Sequence, residues 1–416
     1  MNQYETNAMK QKFIQAGYEI KEFNEISDIY IINTCTVTNT ADRKTRQIFR
    51  RVKQLNNEAI LIVVGCYVQV AKEELEKINE IDLILGNNEK NNIVELLEKY
   101  KEDRIIVSEI DKTISYKEFG EITYTENVRA FIKIQDGCNN FCTYCIIPYA
   151  RGRVRSRKIS SIVNEIKKIA KQGIKEIVLT GIEIASYGSD FEEKIGLIDL
   201  LEELNKIQDI KRIRLGSLEP RLITEEFIER LKKLDKICNQ FHLSLQSGCD
   251  ETLKRMNRKY TIDSAENGIN ILKNNFNDLI LTADIIVGFP GETEEEFEKT
   301  YKFIKKIKLY KIHTFKYSKR KGTVAEKMDN QIPEQVKERR SRKIIELSDI
   351  IQKEINKSYI NKQMDVLFEE KEGEYYKGHT KNYMMVYVKS EKKLKNQIKT
   401  ITIKKIECDR IVGIIT

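Results

Sequence analysis

Three cysteines, Cys138, Cys142 and Cys145, fall close together in the stretch QDGCNNFCTYCIIPYARGRVRSR. Their spacing is C-x3-C-x2-C. Zinc sites usually pair two C-x2-C knuckles and use four ligands. Here no fourth Cys or His lies nearby in the sequence. Iron–sulfur cubanes are held by clustered thiolates, normally four, so a set of three leaves one iron open to a substrate or cofactor. The alternatives are a structural zinc or buried free thiols. A ladder of arginines follows at once: Arg151, Arg153, Arg155 and Arg157. Two more basic runs are KYSKRK at 316–321, which holds Lys319 and Arg320, and KERRSRK at 337–343. A charge run is usually a solvated face. The first two also adjoin the cysteine loop and a strand end, where phosphate neutralisation would serve nucleic-acid binding.

The elements that must position these residues form an α/β pattern. Residues 3–16 put Tyr4, Ala8, Met9 and Phe13 on one helical face, and Gly17 stops the helix. Short apolar strands follow in IYIIN, AILIVVGC and IDLILG, separated by helices, with Cys35 and Cys66 just past two strand ends. Strands alternating with helices imply a doubly wound parallel sheet, whose ligands sit at the carboxyl ends of the strands. This sheet opens on a helix, where a βαβ pattern normally opens on a strand. Residues 106–127 read as a connection of mixed charge. A second series then offers six strands: AFIKI, EIVLT, RIRLGS, FHLSL, LTADIIVG and KIHTFKY. Six strand–helix units suggest a partial (β/α)6 barrel related to the eight-unit form, with its site in the loops after the strands. His242 and His313 lie in these strand patterns as barrel-lining or core polar groups. A charged helix near 333–357 leads to alternating strands that fit a small β-barrel. The expected domains are 1–105, 125–355 and 358–416.

With 416 residues and a formal charge of +9, the chain is long enough for two or three domains and modestly basic. Residues 357–416 hold 13 Lys or Arg against 8 Asp or Glu, more than half of that excess. No apolar run approaches the ~18 residues of a membrane span, and no export signal is visible, so a cytoplasmic location is expected. Cysteines in that reducing setting read as metal ligands, catalytic thiols or buried filler. Cys238, Cys249 and Cys408 match no ligand position.

The segments INTCTVTNTAD, VVGCYVQ, IQDGCNNFCTYCIIPYARGRVRSR, LTGIEIASYG, RLGSLEP, HLSLQSG, RMNRKYT, DIIVGFPGETEEEF and YSKRKGTVA occur in this order. Together they resemble the methylthiotransferase family of radical S-adenosylmethionine (SAM) enzymes over nearly the whole chain. The run CNNFCTYCIIPYARGRVRSR most resembles the bacterial branch acting on N6-threonylcarbamoyladenosine in tRNA. The resemblance implies an N-terminal methylthiotransferase domain, a radical SAM barrel and a C-terminal RNA-binding TRAM domain.

It also implies two [4Fe-4S] clusters and SAM as cofactors. Cys138, Cys142 and Cys145 would hold the SAM-binding cluster, with Tyr144 at the usual aromatic position between ligands. Gly181 and Glu183 would lie near the methionine amino group, and Ser217 and Glu219 near the ribose. Gly288, Pro290 and Gly291 admit either close backbone approach to the cofactor or a tight turn. Arg151, Arg153, Arg155, Arg157, Lys319 and Arg320 would face RNA. Cys35 and Cys66 match two ligands of the second cluster. The third belongs to a GCKVNQYET-like segment, and this chain begins at NQYET; a strand and a ligand are therefore expected upstream of Met1. In the implied chemistry, one SAM methylates a sulfur at the second cluster. Another gives a radical that takes hydrogen from C2 of the modified adenosine. The partners would be a tRNA anticodon stem-loop, an electron donor of flavodoxin or ferredoxin type and a sulfur source. Sister branches act on isopentenyl-adenosine in tRNA or on a ribosomal-protein aspartate. A non-catalytic iron–sulfur RNA-binding protein is the reading from another class.

Overall fold

The computed structural model describes residues 1–35, 39–110, 115–120, 122 and 128–416, the side chains of 39–42 excepted. Helix α1 (Asn2–Gln15) comes first, then β1 (Ile29–Thr34), α2 (Asn39–Leu55), β2 (Ile60–Gly65), α3 (Cys66–Leu75), β3 (Leu83–Leu85), α4 (Ile93–Glu98) and β4 (Ile105–Ile106). The four strands pair in sequence order and all run parallel. Alternate strand residues serve opposite faces, so Leu61 and Val63 pack with Phe49, Val52 and Val68, while Ile62 and Val64 pack with Met9, Phe13 and Leu97. Helices on both faces make the sheet doubly wound, as its near-continuous apolar strands predict. The two-residue strand β4 lies where the sequence pattern turns into a connection.

In the next region, β5 (Arg129–Lys133) leads to a short antiparallel pair, β6 (Gln135–Asp136) and β7 (Arg155–Ser156), which brackets helix α5 (Ile147–Arg151). The series continues through α6 (Ile159–Lys171), β8 (Glu176–Thr180), α7 (Leu197–Asn205), β9 (Arg212–Leu215), β10 (Ser217–Leu218) and α8 (Glu225–Leu231). It ends with β11 (Gln240–Gln246), α9 (Asp250–Arg255), α10 (Ile262–Asn275), β12 (Ile280–Val287), α11 (Glu294–Ile307) and β13 (Lys311–Lys316). The parallel pairings run β5–β8–β9 and β10–β11–β12–β13, with the third strand interrupted at Gly216 between β9 and β10. All six strands expected from the sequence are present. Their odd-face residues, among them Ile132, Leu179, Ile213, Leu243 and Ala283, form one core with the surrounding helices. The other face lines the inside of a partial barrel.

Helix α12 (Glu334–Ser358) packs against β13 and hands the chain to β14 (Gln363–Glu372), β15 (Tyr375–Thr380), β16 (Met385–Lys389), β17 (Ile398–Glu407) and β18 (Arg410–Ile415). These close into a barrel in the order β14–β15–β16–β18–β17. This small barrel sits against the amino-terminal ends of the parallel strands. Arg212 donates from Nη1 to the His379 carbonyl (2.9 Å) and from Nη2 to the Asp365 carbonyl (2.7 Å). Arg129 pairs with Glu369 at 3.0 Å. The Tyr383 ring lies under two guanidinium groups, 4.5 Å from that of Arg214 and 5.2 Å from that of Arg129. No described helix is long and apolar enough to cross a membrane.

Candidate iron–sulfur and cosubstrate site

The loop between β6 and α5 carries Cys138, Cys142 and Cys145, all free thiols. Gly137 starts it at φ +70°, and a Cβ there would collide with the Arg153 carbonyl, so the tight entry requires glycine. The far wall of the barrel grips the loop's middle. Thr143 N–H donates to the Met256 carbonyl (3.1 Å), Thr143 Oγ1 to the Arg255 carbonyl (2.9 Å), and Asn257 Nδ2 to the Phe141 carbonyl (3.0 Å). Two sulfurs accept hydrogen bonds: Cys138 from the Asn140 N–H at 3.4 Å, and Cys142 from Arg258 Nη1 at 3.5 Å. Burial pushes the Cys138 thiol up to about 11 and the Cys145 thiol up to about 12. Metal binding at these thiols must therefore release protons.

The donor set fits a cubane better than one zinc. Three thiolates on a tetrahedral zinc, at about 2.3 Å each, would stand roughly 3.8 Å apart. Among the described residues, the three sulfurs do not form a group with all ligand atoms within 4.8 Å of one another. Wider spacing suits a larger cluster, and the N–H donors aimed at sulfur are those that support iron–sulfur ligands.

The structure brings several sequence-derived residues around this loop. Gln135 is central: its Oε1 accepts from the Ile182 and Glu183 N–H groups, both at 2.9 Å, and its Nε2 donates to the Gly137 carbonyl at 2.6 Å. One side chain thus ties the loop after β8 to the cysteine loop. Gly181 passes so close that a Cβ would lie 2.7 Å from Gln135 Oε1. Burial, then the charge of Glu219, pushes Glu183 up to about 7. Glu219 is held by Arg258 (3.4 Å) and by Arg221 Nε (3.0 Å). Ser217, on β10, is half-buried beside His242 of β11. The Tyr144 ring meets Phe289 edge-on at 6.3 Å. Gly288 and Gly291 form a tight turn at φ +71° and +76°, in which the Gly288 N–H donates to Glu292 Oε2. Gln135 and Arg258 were not singled out from the sequence. The signal was available, since both lie inside quoted motifs, IQDGC and RMNRKYT.

The arginine ladder requires correction. Arg151, Arg155 and Arg157 are not a surface for phosphate: they are 2%, 4% and 1% exposed. Arg157 pairs with Glu165 (2.6 Å) and Glu118 (2.7 Å), and Arg155 reaches Asp136 at 3.7 Å. Arg151 meets Glu5 of α1 at 2.6 Å and Asp136 at 3.2 Å. The cause is the joint between the first sheet and the barrel, where acids from α1, β6 and α6 need buried partners. Arg320 is likewise buried, whereas Lys319 is exposed. Arg153 is exposed, its guanidinium 4.4 Å from the Phe141 ring centre.

Cys35 and Cys66 come from adjacent parallel strands in matching register. Thr34 pairs with Gly65, so each cysteine is the next residue beyond a paired position. Gly65, at φ +110°, lets the chains approach; a Cβ there would lie 2.5 Å from the Thr34 carbonyl. Cys66 Sγ accepts from Arg151 Nε at 3.1 Å and from Asn87 Nδ2 at 3.7 Å. Around it, Lys90, Lys133 and Arg151 face the two acids Glu5 and Asp136. This excess of buried positive charge suits an anionic thiolate-held cluster.

Known proteins resemble this chain along most of its length. Residues 132–304 match the radical SAM superfamily, and residues 1–86 match the uncharacterized protein family UPF0004. The fold resembles the radical SAM methyltransferase TsrM of Kitasatospora setae, with a TM-score of 0.57 over 75% of this chain and 70% of that one, at 16% identity. The chain belongs to the radical SAM methylthiotransferase family, and it is an enzyme using [4Fe-4S] clusters and SAM. It is 42% identical over 414 residues to the threonylcarbamoyladenosine tRNA methylthiotransferase MtaB of Bacillus subtilis, covering 97% of this chain and 92% of that relative. MtaB of Aquifex aeolicus is 43% identical over 83% of this chain and 85% of its own length. A tRNA-2-methylthio-N(6)-dimethylallyladenosine synthase of Alkaliphilus oremlandii is 39% identical over 89% and 80%.

Proposed function

We propose that the chain methylthiolates C2 of N6-threonylcarbamoyladenosine beside the anticodon of tRNA. The observation that supports this most is similarity to two threonylcarbamoyladenosine tRNA methylthiotransferases, at 42% identity over 97% of the chain and 43% over 83%. Relatives named for the dimethylallyl substrate match at 38–39% identity over 89% of the chain, so that substrate, at lower identity, is the second reading. The division into 1–105, 125–355 and 358–416, and a cytoplasmic location, belong to the same proposal.

In this reading Cys138, Cys142 and Cys145 hold the SAM-binding cluster, and Cys35 and Cys66 supply two ligands of the second. When bound, the clusters and SAM supply the radical and the methylated sulfur. The chain's residues orient them. Gln135 fixes the loop of Gly181 and Glu183, which would hold the cosubstrate amino group, and Ser217 and Glu219 would hold the ribose. Tyr144 and Phe289 provide apolar wall. Base-modifying enzymes take their target out of its stack, so an anticodon loop fits a barrel mouth better than a duplex does. Exposed basic groups that would meet phosphate include Arg153, Lys319 and lysines of the C-terminal barrel. A flavodoxin- or ferredoxin-type donor would supply electrons, and a separate source the sulfur. Nucleoside mass spectrometry of tRNA from a deletion strain tests the substrate. Loss of 2-methylthio-threonylcarbamoyladenosine is expected; loss of the methylthio-isopentenyl nucleoside instead would transfer the chain to the second reading.

A further inference from the structure

Inside the barrel, three side chains converge from neighbouring strands. His242 is on β11, Asp284 on β12 and His313 on β13. Phe241 and Leu243 of β11, and Ala283 and Ile285 of β12, face the core shared with the helices. The alternation of a strand therefore turns His242 and Asp284 to the lumen, and His313, paired in register with Asp284, turns with them. His242 Nε2 stands 3.2 Å from Asp284 Oδ1, and His313 Nδ1 stands 3.3 Å from the same oxygen. The ring centres are 5.2 Å apart. Among the described residues this group has all its ligand atoms within 4.8 Å of one another.

We propose that His242, Asp284 and His313 form a binding site for a divalent transition-metal ion of the zinc class. The spacing carries the argument. A tetrahedral ion with bonds of about 2.0–2.1 Å to imidazole nitrogen and carboxylate oxygen puts its ligand atoms roughly 3.3 Å apart. Two edges of the triangle already have that length. Two imidazoles and one carboxylate are the donor set of open catalytic zinc sites and of facial-triad iron sites. The first ligand is also oriented from behind. His242 Nδ1 lies 2.9 Å from Thr282 Oγ1, which Gln240 Nε2 holds in turn at 3.1 Å. That bond leaves Nε2 for the metal, as ligating histidines generally require. Access comes from His313, whose side chain is 51% exposed. The ion's remaining positions face the lumen and would take water or an oxygen of a ligand there.

The test uses anaerobically reconstituted protein, equilibrated with Zn2+ and desalted. Metal analysis should find about one zinc per chain with iron content unchanged, and zinc X-ray absorption should show nitrogen and oxygen neighbours near 2.0 Å. His313→Gln and Asp284→Asn should each cut zinc affinity at least roughly tenfold, while keeping the cluster absorption and melting temperature of the parent. His313→Gln is at a half-exposed position, so its fold is secure. Failure to retain zinc overturns the proposal. So do sulfur neighbours near 2.3 Å, which would put the ion in a cysteine site, or unchanged retention in both variants. In those cases the three side chains are a hydrogen-bonded triad.

Discussion

The Arg151 guanidinium donates from Nε to Cys66 Sγ across 3.1 Å, joining the helix that leaves the three-cysteine loop to a strand end of the first sheet. The same guanidinium pairs with Glu5 and Asp136. One side chain therefore touches both cysteine-bearing units and the acids between them.

Replacing Arg151 with leucine should leave Glu5 and Asp136 under-compensated in the interior. Removing one partner of a buried ion network costs about 3–5 kcal/mol. Denaturant unfolding should show this loss, and Arg153→Leu, at an exposed position, should stay near the parent. Equal midpoints for the two variants would refute the buried role of Arg151.

Cys138→Ala, Cys142→Ala and Cys145→Ala should each abolish 5′-deoxyadenosine formation from SAM by the dithionite-reduced enzyme. In the proposed site three thiols hold the cluster with none to spare. A parental yield from any one variant would remove that cysteine from the ligand set.

Gly137→Ala should lower the iron retained by the chain, because the new methyl meets the Arg153 carbonyl and the loop must move. Gly120→Ala is the control. It shares a positive φ of +84° but has open space around it, so it pays only the backbone penalty of about 1 kcal/mol. Equal iron contents in the two would mean that the loop entry tolerates a side chain.

Lys392, Lys393 and Lys395 lie on the exposed connection between β16 and β17. Reversing all three to glutamate should weaken tRNA binding and flatten its salt dependence, by a slope of up to about 3 if each neutralises one phosphate. SAM cleavage without tRNA should be unchanged. An unaltered slope would move the RNA contact elsewhere.

Much of this architecture was legible. The six barrel strands and the five of the C-terminal barrel follow alternating or continuous apolar patterns, which depend on near neighbours in sequence. The cysteine loop is legible for the same reason, since its three candidate ligands fall within one short segment. Arg151, Arg155 and Arg157 read as solvated cations because their partners are not visible locally: Glu5 lies 146 residues from Arg151. No local window distinguishes a cation bound for the solvent from one bound for a distant acid. Gln135 and Arg258 escaped notice because they act on backbone and sulfur across the barrel, a role without a spacing signature. The histidines of β11 and β13 read from the sequence as barrel-lining or core polar groups, but their convergence on Asp284 depends on strand register, which fixes neighbours only once the sheet exists.

The small C-terminal barrel, with Tyr383 beneath Arg129 and Arg214, packs on the amino-terminal ends of the parallel strands and leaves their carboxyl-terminal ends for ligands. A cosubstrate arriving at the carboxyl-terminal rim and its spent product leaving there would share one mouth. An enzyme that consumes more than one cosubstrate per product would then work in strict succession, each departure clearing room for the next arrival, and the pace of turnover would rest on traffic at that mouth as much as on the chemistry inside.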